Sequence, residues 1–208
     1  MIEHIQWLGH GSILIDKSPI IYIDPWRIVK QSFDADIILV SHDHYDHCSV
    51  ADIEKLRSDD TVVIGNEAVS AQVRDVTIIR PWQSMTIDRL SIKAIPAYTE
   101  DGFQHPKEQD GLGFVISMNY YDIYYAGDTG IIPEMSQIHP DIAILPIDGN
   151  DTLSVEQAIE VVDLLRPRWV IPCNWGKSGE GASTIDAVQF ARKVGGRAEV
   201  ILPDDITI

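Results

Sequence analysis

Residues 41–47 read SHDHYDH, three histidines and two aspartates in seven positions, directly after the apolar run Ile37, Ile38, Leu39, Val40. Imidazole and carboxylate together suit Zn²⁺, and also Mn²⁺ or Fe²⁺, whereas Mg²⁺ and Ca²⁺ prefer shells built of oxygen. His42 and His44 are two residues apart, so in an extended segment their rings fall on one side and can share a cation. Asp46 and His47 follow in the turn before the next helix and aim at the other side of the same opening. Four such donors in six residues argue for a metal centre rather than a solvated polar loop.

The elements that must hold this cluster are legible around it. The first half of the chain reads as short strands, among them HIQWL, SILID, IIYID, DIILV, TVVIG, VTIIR, MTI and LSIKAI, several parted by turn formers such as HGS, KSP and DP. LGFVISM and DIYYAG follow, and Asp128, just past the last apolar position, is expected on a loop leaving a strand, where functional side chains can converge. Ser49 with Asp52 predicts a capping box opening a helix that runs to about Leu56. Ser154 with Gln157 predicts a second helix, whose Val155, Ala158, Ile159 and Val162 form one apolar face. Ser183 with Asp186 predicts a third, carrying Ala187, Phe190 and Ala191 and ended by Gly195 and Gly196. Many strands with helices spread among them point to sheets covered by helices.

Composition narrows the function. The chain has 208 residues, 45% of them hydrophobic, with no apolar run approaching the roughly 20 positions of a membrane span. No repeat or long linker divides it, so one domain over residues 1–208 is expected. The opening MIEHIQW has neither a basic start nor an apolar signal core, and two cysteines, Cys48 and Cys173, fit a reducing compartment. A soluble, cytoplasmic protein with no membrane partner is the expectation. Sixteen Lys and Arg against 32 Asp and Glu give a formal charge of −16, a field that repels nucleic acid and anionic membrane at long range. The one dense basic stretch, RPR at 166–168, reads more simply as the end of the Ser154 helix.

HDHYDH resembles the H-x-H-x-D-H signature of the metallo-β-lactamase superfamily, and the likeness runs along almost the whole chain. WLGHGSILI resembles the opening strand pair of that family, FQHPK with GLGFVI the segment carrying its third-motif histidine, YYAGDTG its bridging-aspartate motif, and VIPCNWG its final metal loop. Within the superfamily the chain is most similar to small cytoplasmic hydrolases related to L-ascorbate-6-phosphate lactonase. The resemblance implies an α/β fold, a four-layer αββα sandwich with a dinuclear site at one edge holding one or two Zn²⁺, Mn²⁺ and Fe²⁺ being the other candidates. It assigns His42, His44 and His105 to the first metal, Asp46 and His47 to the second, and Asp128 to the bridge between them. It also allows a homo-oligomer.

Two positions depart from that pattern. Where such relatives read proline, any residue, histidine, an aromatic and glycine, this chain reads Pro172, Cys173, Asn174, Trp175, Gly176, so Asn174 stands in the place of the last metal histidine. An amide oxygen is the poorer donor for Zn²⁺, and the second site is expected to be the weaker. Tyr125 stands where many relatives have histidine. Cys173 is expected in the core, His4 and His139 in structural or surface roles, Asp24 and His10 around the metals, and Tyr98 and Trp175 as pocket walls or packing groups. The implied function is hydrolysis of a small ester, lactone or phosphodiester by a metal-activated water. Asp46 would fix that water and take its proton, and His10 would orient a carboxylate or a substrate group. The alternatives are a catalytically quiet metal- or ligand-binding protein, or a nucleic-acid phosphodiesterase, which the charge disfavours.

Overall fold

The computed structural model describes residues 1–29, 33–100, 102–176 and 181–203. The first sheet contains β1 (Ile5–Gly9), β2 (Ser12–Ile15), β3 (Ile21–Ile23), β4 (Ala35–Leu39), β5 (Arg57–Gly65) and β6 (Val76–Ile78), in that spatial order. The second holds β7 (Ser84–Ile87), β8 (Leu90–Pro96), β9 (Leu112–Met118), β10 (Tyr121–Tyr125), β11 (Ile142–Pro146), β12 (Trp169–Cys173) and β13 (Glu199–Val200), again adjacent in sequence order. Each sheet is part antiparallel and part parallel: β1 to β3 and β7 to β10 pair antiparallel, β3 to β6 and β10 to β13 parallel.

Period-two alternation sorts the side chains into layers. Ile13, Ile15, Ile37 and Leu39 point to a central core, where they meet Phe114, Ile116, Ile123 and Ile144 of the other sheet. Leu14, Ile38 and Val63, one residue out of step, face outward onto Ile53, Leu56 and Val69 of helices α1 (Val50–Leu56) and α2 (Glu67–Gln72). On the far side Tyr124, Ala143, Leu145 and Val170 meet Ala158, Val162, Phe190 and Val194 of α3 (Val155–Leu165) and α4 (Thr184–Val194). Strands buried on both faces read as unbroken apolar runs, which is why DIILV and DIAILP show no polar alternation. The result is the expected αββα sandwich. Among the described residues no helix is long and apolar enough to cross a membrane.

Ser154 and Ser183 close the capping boxes expected of them. Ser49 caps α1 through the amide of Asp52, but the Asp52 carboxylate does not return to the Ser49 amide. It accepts from the Ser49 hydroxyl at 2.8 Å and from the amides of Arg27 and Ile28 at 2.8 and 3.1 Å, pinning the chain after β3 to α1. Helix α2, capped by Asn66, has no counterpart in the sequence reading; six residues are too few to display a helical period. Arg166 ends α3 in a left-handed conformation, so RPR is indeed the exit from that helix.

Candidate metal centre

Every group expected at the site lies on a turn or a loop leaving a strand at one edge of the sandwich. The segment carrying His42, His44, Asp46 and His47 joins β4 to α1; Asp128 follows β10, Asn174 follows β12, and His10 sits in the turn between β1 and β2. Backbone hydrogen bonds tie these loops across the sheets: the amide of Leu112 donates to the Ser41 carbonyl at 2.9 Å, and that of Asn174 to the His10 carbonyl at 3.0 Å. His105 reaches the same edge from the loop before β9.

Among the described residues two sets of three donors line the opening, and a third group, Asp24 with His42 and His47, lies beneath them. Atoms of His42, His44 and His105 lie within 4.8 Å of one another, and so do atoms of His10, Asp46 and His47. Asp128 stands between the sets, its Oδ2 at 3.3 Å from His47 Nε2, 3.5 Å from His105 Nε2 and 4.0 Å from His42 Nε2. Its Oδ1 accepts a hydrogen bond from Asn174 Nδ2 at 2.8 Å. Asn174 is thus beside the centre but presents its amino group to Asp128, while its Oδ1 is buried without a partner.

Below the donors a buried carboxylate organises the centre. Asp24, fully buried, accepts at Oδ1 from the Ser41 amide at 2.7 Å. Its Oδ2 accepts from Ser41 Oγ at 2.5 Å, from His47 Nδ1 at 2.7 Å and from Tyr125 Oη at 2.7 Å. The Tyr125 hydroxyl, which also reaches the Gly11 carbonyl at 3.0 Å, is therefore a support for Asp24. Since Ser41 Oγ gives its proton to Asp24, it accepts one from His42 Nδ1 at 2.9 Å. Both imidazoles are thereby held with Nδ1 protonated and Nε2 aimed at the centre, the usual way an outer carboxylate orients metal-binding histidines. Gly11 makes room for this: a Cβ there would lie 2.8 Å from His47 Cε1.

The electrostatics follow from burial and crowding. Burial works against a charged Asp128, but His47, His42 and His105 outweigh it and hold the carboxyl well below its ordinary range. Burial also opposes charge on His47, and there Asp128 and Asp24 win, raising that imidazole well above its ordinary value. His42 is driven the other way, by burial and then by the charge on His47. Asp46 comes down to about 2 despite burial, under the influence of His10 and His47.

Whether these residues suit a cation can be tested on the atoms that lack partners. Beyond their ionic contacts with Asp128 and Asp46, His42 Nε2, His47 Nε2 and the ring nitrogens of His10 are buried with no hydrogen-bond partner, as is Asn174 Oδ1. An unsatisfied buried polar atom costs about 1–3 kcal/mol, so several converging on one point call for a common partner. The edge of a tetrahedron drawn around Zn²⁺ with arms of ~2.0–2.1 Å is about 3.3 Å, close to the spacings from Asp128 to His47 and His105. The donor set fits a metal.

The centre opens on a cleft of 370 Å³ whose walls include Tyr45, Gln104, Asp148 and Asn150. Asp148 is a site residue that no sequence motif marks. It lies two residues beyond β11, as Asp128 lies three beyond β10, so the same strand-exit reasoning reaches it; burial, reinforced by Asp128, pushes its carboxyl up to about 6. Tyr98 and Trp175 are not cleft walls. Tyr98 packs in the outer core with its hydroxyl on Glu134 at 2.9 Å, and Trp175 stacks on Trp7 with ring centroids 4.2 Å apart. Cys173 is a core residue, as expected.

A mixed sandwich with paired histidine and aspartate donors at one edge defines a metallo-β-lactamase-type protein, and comparison with known proteins agrees. Residues 4–174 match the beta-lactamase superfamily domain, and the chain belongs to that superfamily. Its relatives are named as metal-dependent hydrolases. The chain is 32% identical to the UPF0173 metal-dependent hydrolase of Thermococcus kodakarensis, over 95% of each chain. It is 34% identical to that of Pelotomaculum thermopropionicum, over 82% of this chain and 83% of the other. Among solved structures it resembles a metallo hydrolase from Ignicoccus hospitalis with a TM-score of 0.81 at 24% identity, covering 98% of this chain and 95% of that one.

Proposed function

We propose that this protein hydrolyses a small ester, lactone or phosphodiester at a centre of one or two divalent cations, Zn²⁺ first among the candidates. The observation that carries the reading is the pair of donor triads on either side of Asp128, at the floor of an open cleft. His42, His44 and His105 would hold the first cation, Asp46 and His47 would contribute to the second, and Asp128, between the two sets, would serve both. A bound cation lowers the pKa of its water to about 7 and polarises the attacked oxygen. Asp24 keeps His42 and His47 aimed inward, and Asp46, a carboxylate down to about 2, is better suited to ligation than to accepting a proton near neutrality. Asp148, on the cleft wall, is a second candidate for proton exchange. The charge of −16 favours small substrates over nucleic acid.

The test is a screen of nitrophenyl esters, aliphatic lactones and bis-nitrophenyl phosphate with protein loaded with Zn²⁺, Mn²⁺ or Fe²⁺, each against chelated protein. Turnover by the loaded form, abolished by chelation and by His44→Ala, supports the reading. Protein that holds metal and turns over none of the three classes would instead be the quiet binding protein, a reading favoured by the hydrogen bond that Asn174 places on Asp128.

A further inference from the structure

The second set of donors contains a residue that the sequence motifs do not assign to it. His10 Nε2 stands 3.2 Å from Asp46 Oδ2, the spacing of two donors on one cation, and the pair share their group with His47. The His10 side chain is only 9% exposed, yet neither ring nitrogen makes a hydrogen bond. Even counting its contact with Asp46, His10 leaves Nδ1 buried and without a partner, and its Nε2 joins Asp46 and His47 in one group of donors close enough to share a cation. Its ring lies edge-on to those of His47 and Trp26, with centroids 5.3 Å away in each case.

Its backbone stands beside the departure at Asn174. The His10 carbonyl accepts from the Asn174 amide at 3.0 Å and from Trp7 Nε1 at 2.7 Å, and Trp7 stacks on Trp175, the residue after Asn174. The β1–β2 turn is therefore fastened to the final loop at the position where an imidazole is missing. Asn174 gives its amino group to Asp128 and keeps only an amide oxygen free, a poorer donor for Zn²⁺ than imidazole.

We propose that His10 is a ligand of the second cation, together with Asp46 and His47, and replaces the histidine absent at position 174. The proposal rests on the reading of the centre as a metal site. A second cation held through His10 remains weaker than the first, which has three imidazoles to itself, but it is usable because a nitrogen donor is present.

The experiment uses chelated full-length protein titrated with Zn²⁺, with calorimetry for affinity, elemental analysis for stoichiometry, and long-range ¹H–¹⁵N spectra of the imidazoles. The expected result is two equivalents, with the His10 ring nitrogens shifting only as the second one binds. His10→Ala should keep the first equivalent and weaken the second by at least about 100-fold, beyond the 10–100-fold typical of losing an outer support. His10→Ala/Asn174→His should recover most of that loss, while the His10 resonances of the unaltered chain separate a ligand from a support. His10 resonances unmoved through the second equivalent, a wild type that binds one equivalent only, or a second affinity unchanged in His10→Ala would each overturn the assignment while leaving a one-metal hydrolase standing. Failure to bind even the first equivalent would overturn both. Because the spectra are read on the unaltered chain, they decide the matter even if His10→Ala does not fold.

Discussion

Asp24→Asn is the substitution that tests how the centre is held, because it keeps the shape and alters only charge and donor pattern. Four donors converge on this fully buried carboxylate at 2.5–2.7 Å: the Ser41 amide, Ser41 Oγ, His47 Nδ1 and Tyr125 Oη. An asparagine has one accepting oxygen, so its amino group must face at least one donor. In the better orientation it meets the Ser41 amide, leaving a buried N–H unsatisfied at a cost of about 1–3 kcal/mol. The other three hydrogen bonds lose their charge assistance, roughly 0.5–1 kcal/mol each. The sum, about 2.5–6 kcal/mol, corresponds to a melting temperature lower by roughly 5–24 °C in a domain of this size. Metal affinity should fall about 10–100-fold as His42 and His47 lose their orientation. Thermal melts of chelated protein measure the first effect and Zn²⁺ calorimetry the second. A chelated Asp24→Asn protein melting within about 2 °C of wild type, with unchanged affinity, would refute the idea that Asp24 organises the centre.

Three further perturbations separate the roles of the donors. His44→Ala should remove the first metal and lower the melting temperature of loaded protein by several degrees while leaving chelated protein unchanged, since bound metal stabilises only the native state; unchanged metal content would remove His44 from the site. Asp128→Asn should cost more second-metal occupancy than folding stability, read by elemental analysis beside thermal melts, and full double occupancy would remove the bridge. Asp148 is raised by burial to about 6 from an unfolded value near 4, so the folded chain holds its proton longer than the unfolded one. The stability of chelated protein should therefore fall by up to about 3 kcal/mol as pH rises from 4 to 6. Asp148→Asn should flatten that slope, measured by urea unfolding; an unaltered profile would place the Asp148 carboxylate in water.

The parts of this molecule legible in its sequence are those encoded by neighbours. His42, His44, Asp46 and His47 announce themselves because one turn delivers them all, and the capping serines of α3 and α4 do so because a cap and its partner are three residues apart. The Asp24 network joins residues 17, 23 and 101 positions away, and no local period records such a meeting. Even Asp52, read correctly as a helix-start residue, spends its carboxylate on amides 24 and 25 residues earlier. Asp148 falls in the same class; the family resemblance places His10 near the metals, but its contact with Asp46 exists only once the β1–β2 turn is folded against the final loop.

That division has a physical origin in how the layers are built. The central core is apolar and buried on both faces of each sheet, so register there is set by packing, and the strand ends arrive at the edge in fixed positions. Polar donors cannot be buried among those strands without partners, so they collect on the exit loops, where a carboxylate such as Asp24 or a cation can satisfy them. A loop that only exchanged one donor for another, as at Asn174, leaves the sheets beneath it untouched. The neighbouring turn can then supply the missing nitrogen without any change in the fold, because His10 is already fastened to that loop through its own carbonyl. The metal centre is therefore the part of this sandwich freest to change its ligands, and the fold sets only where those ligands can stand.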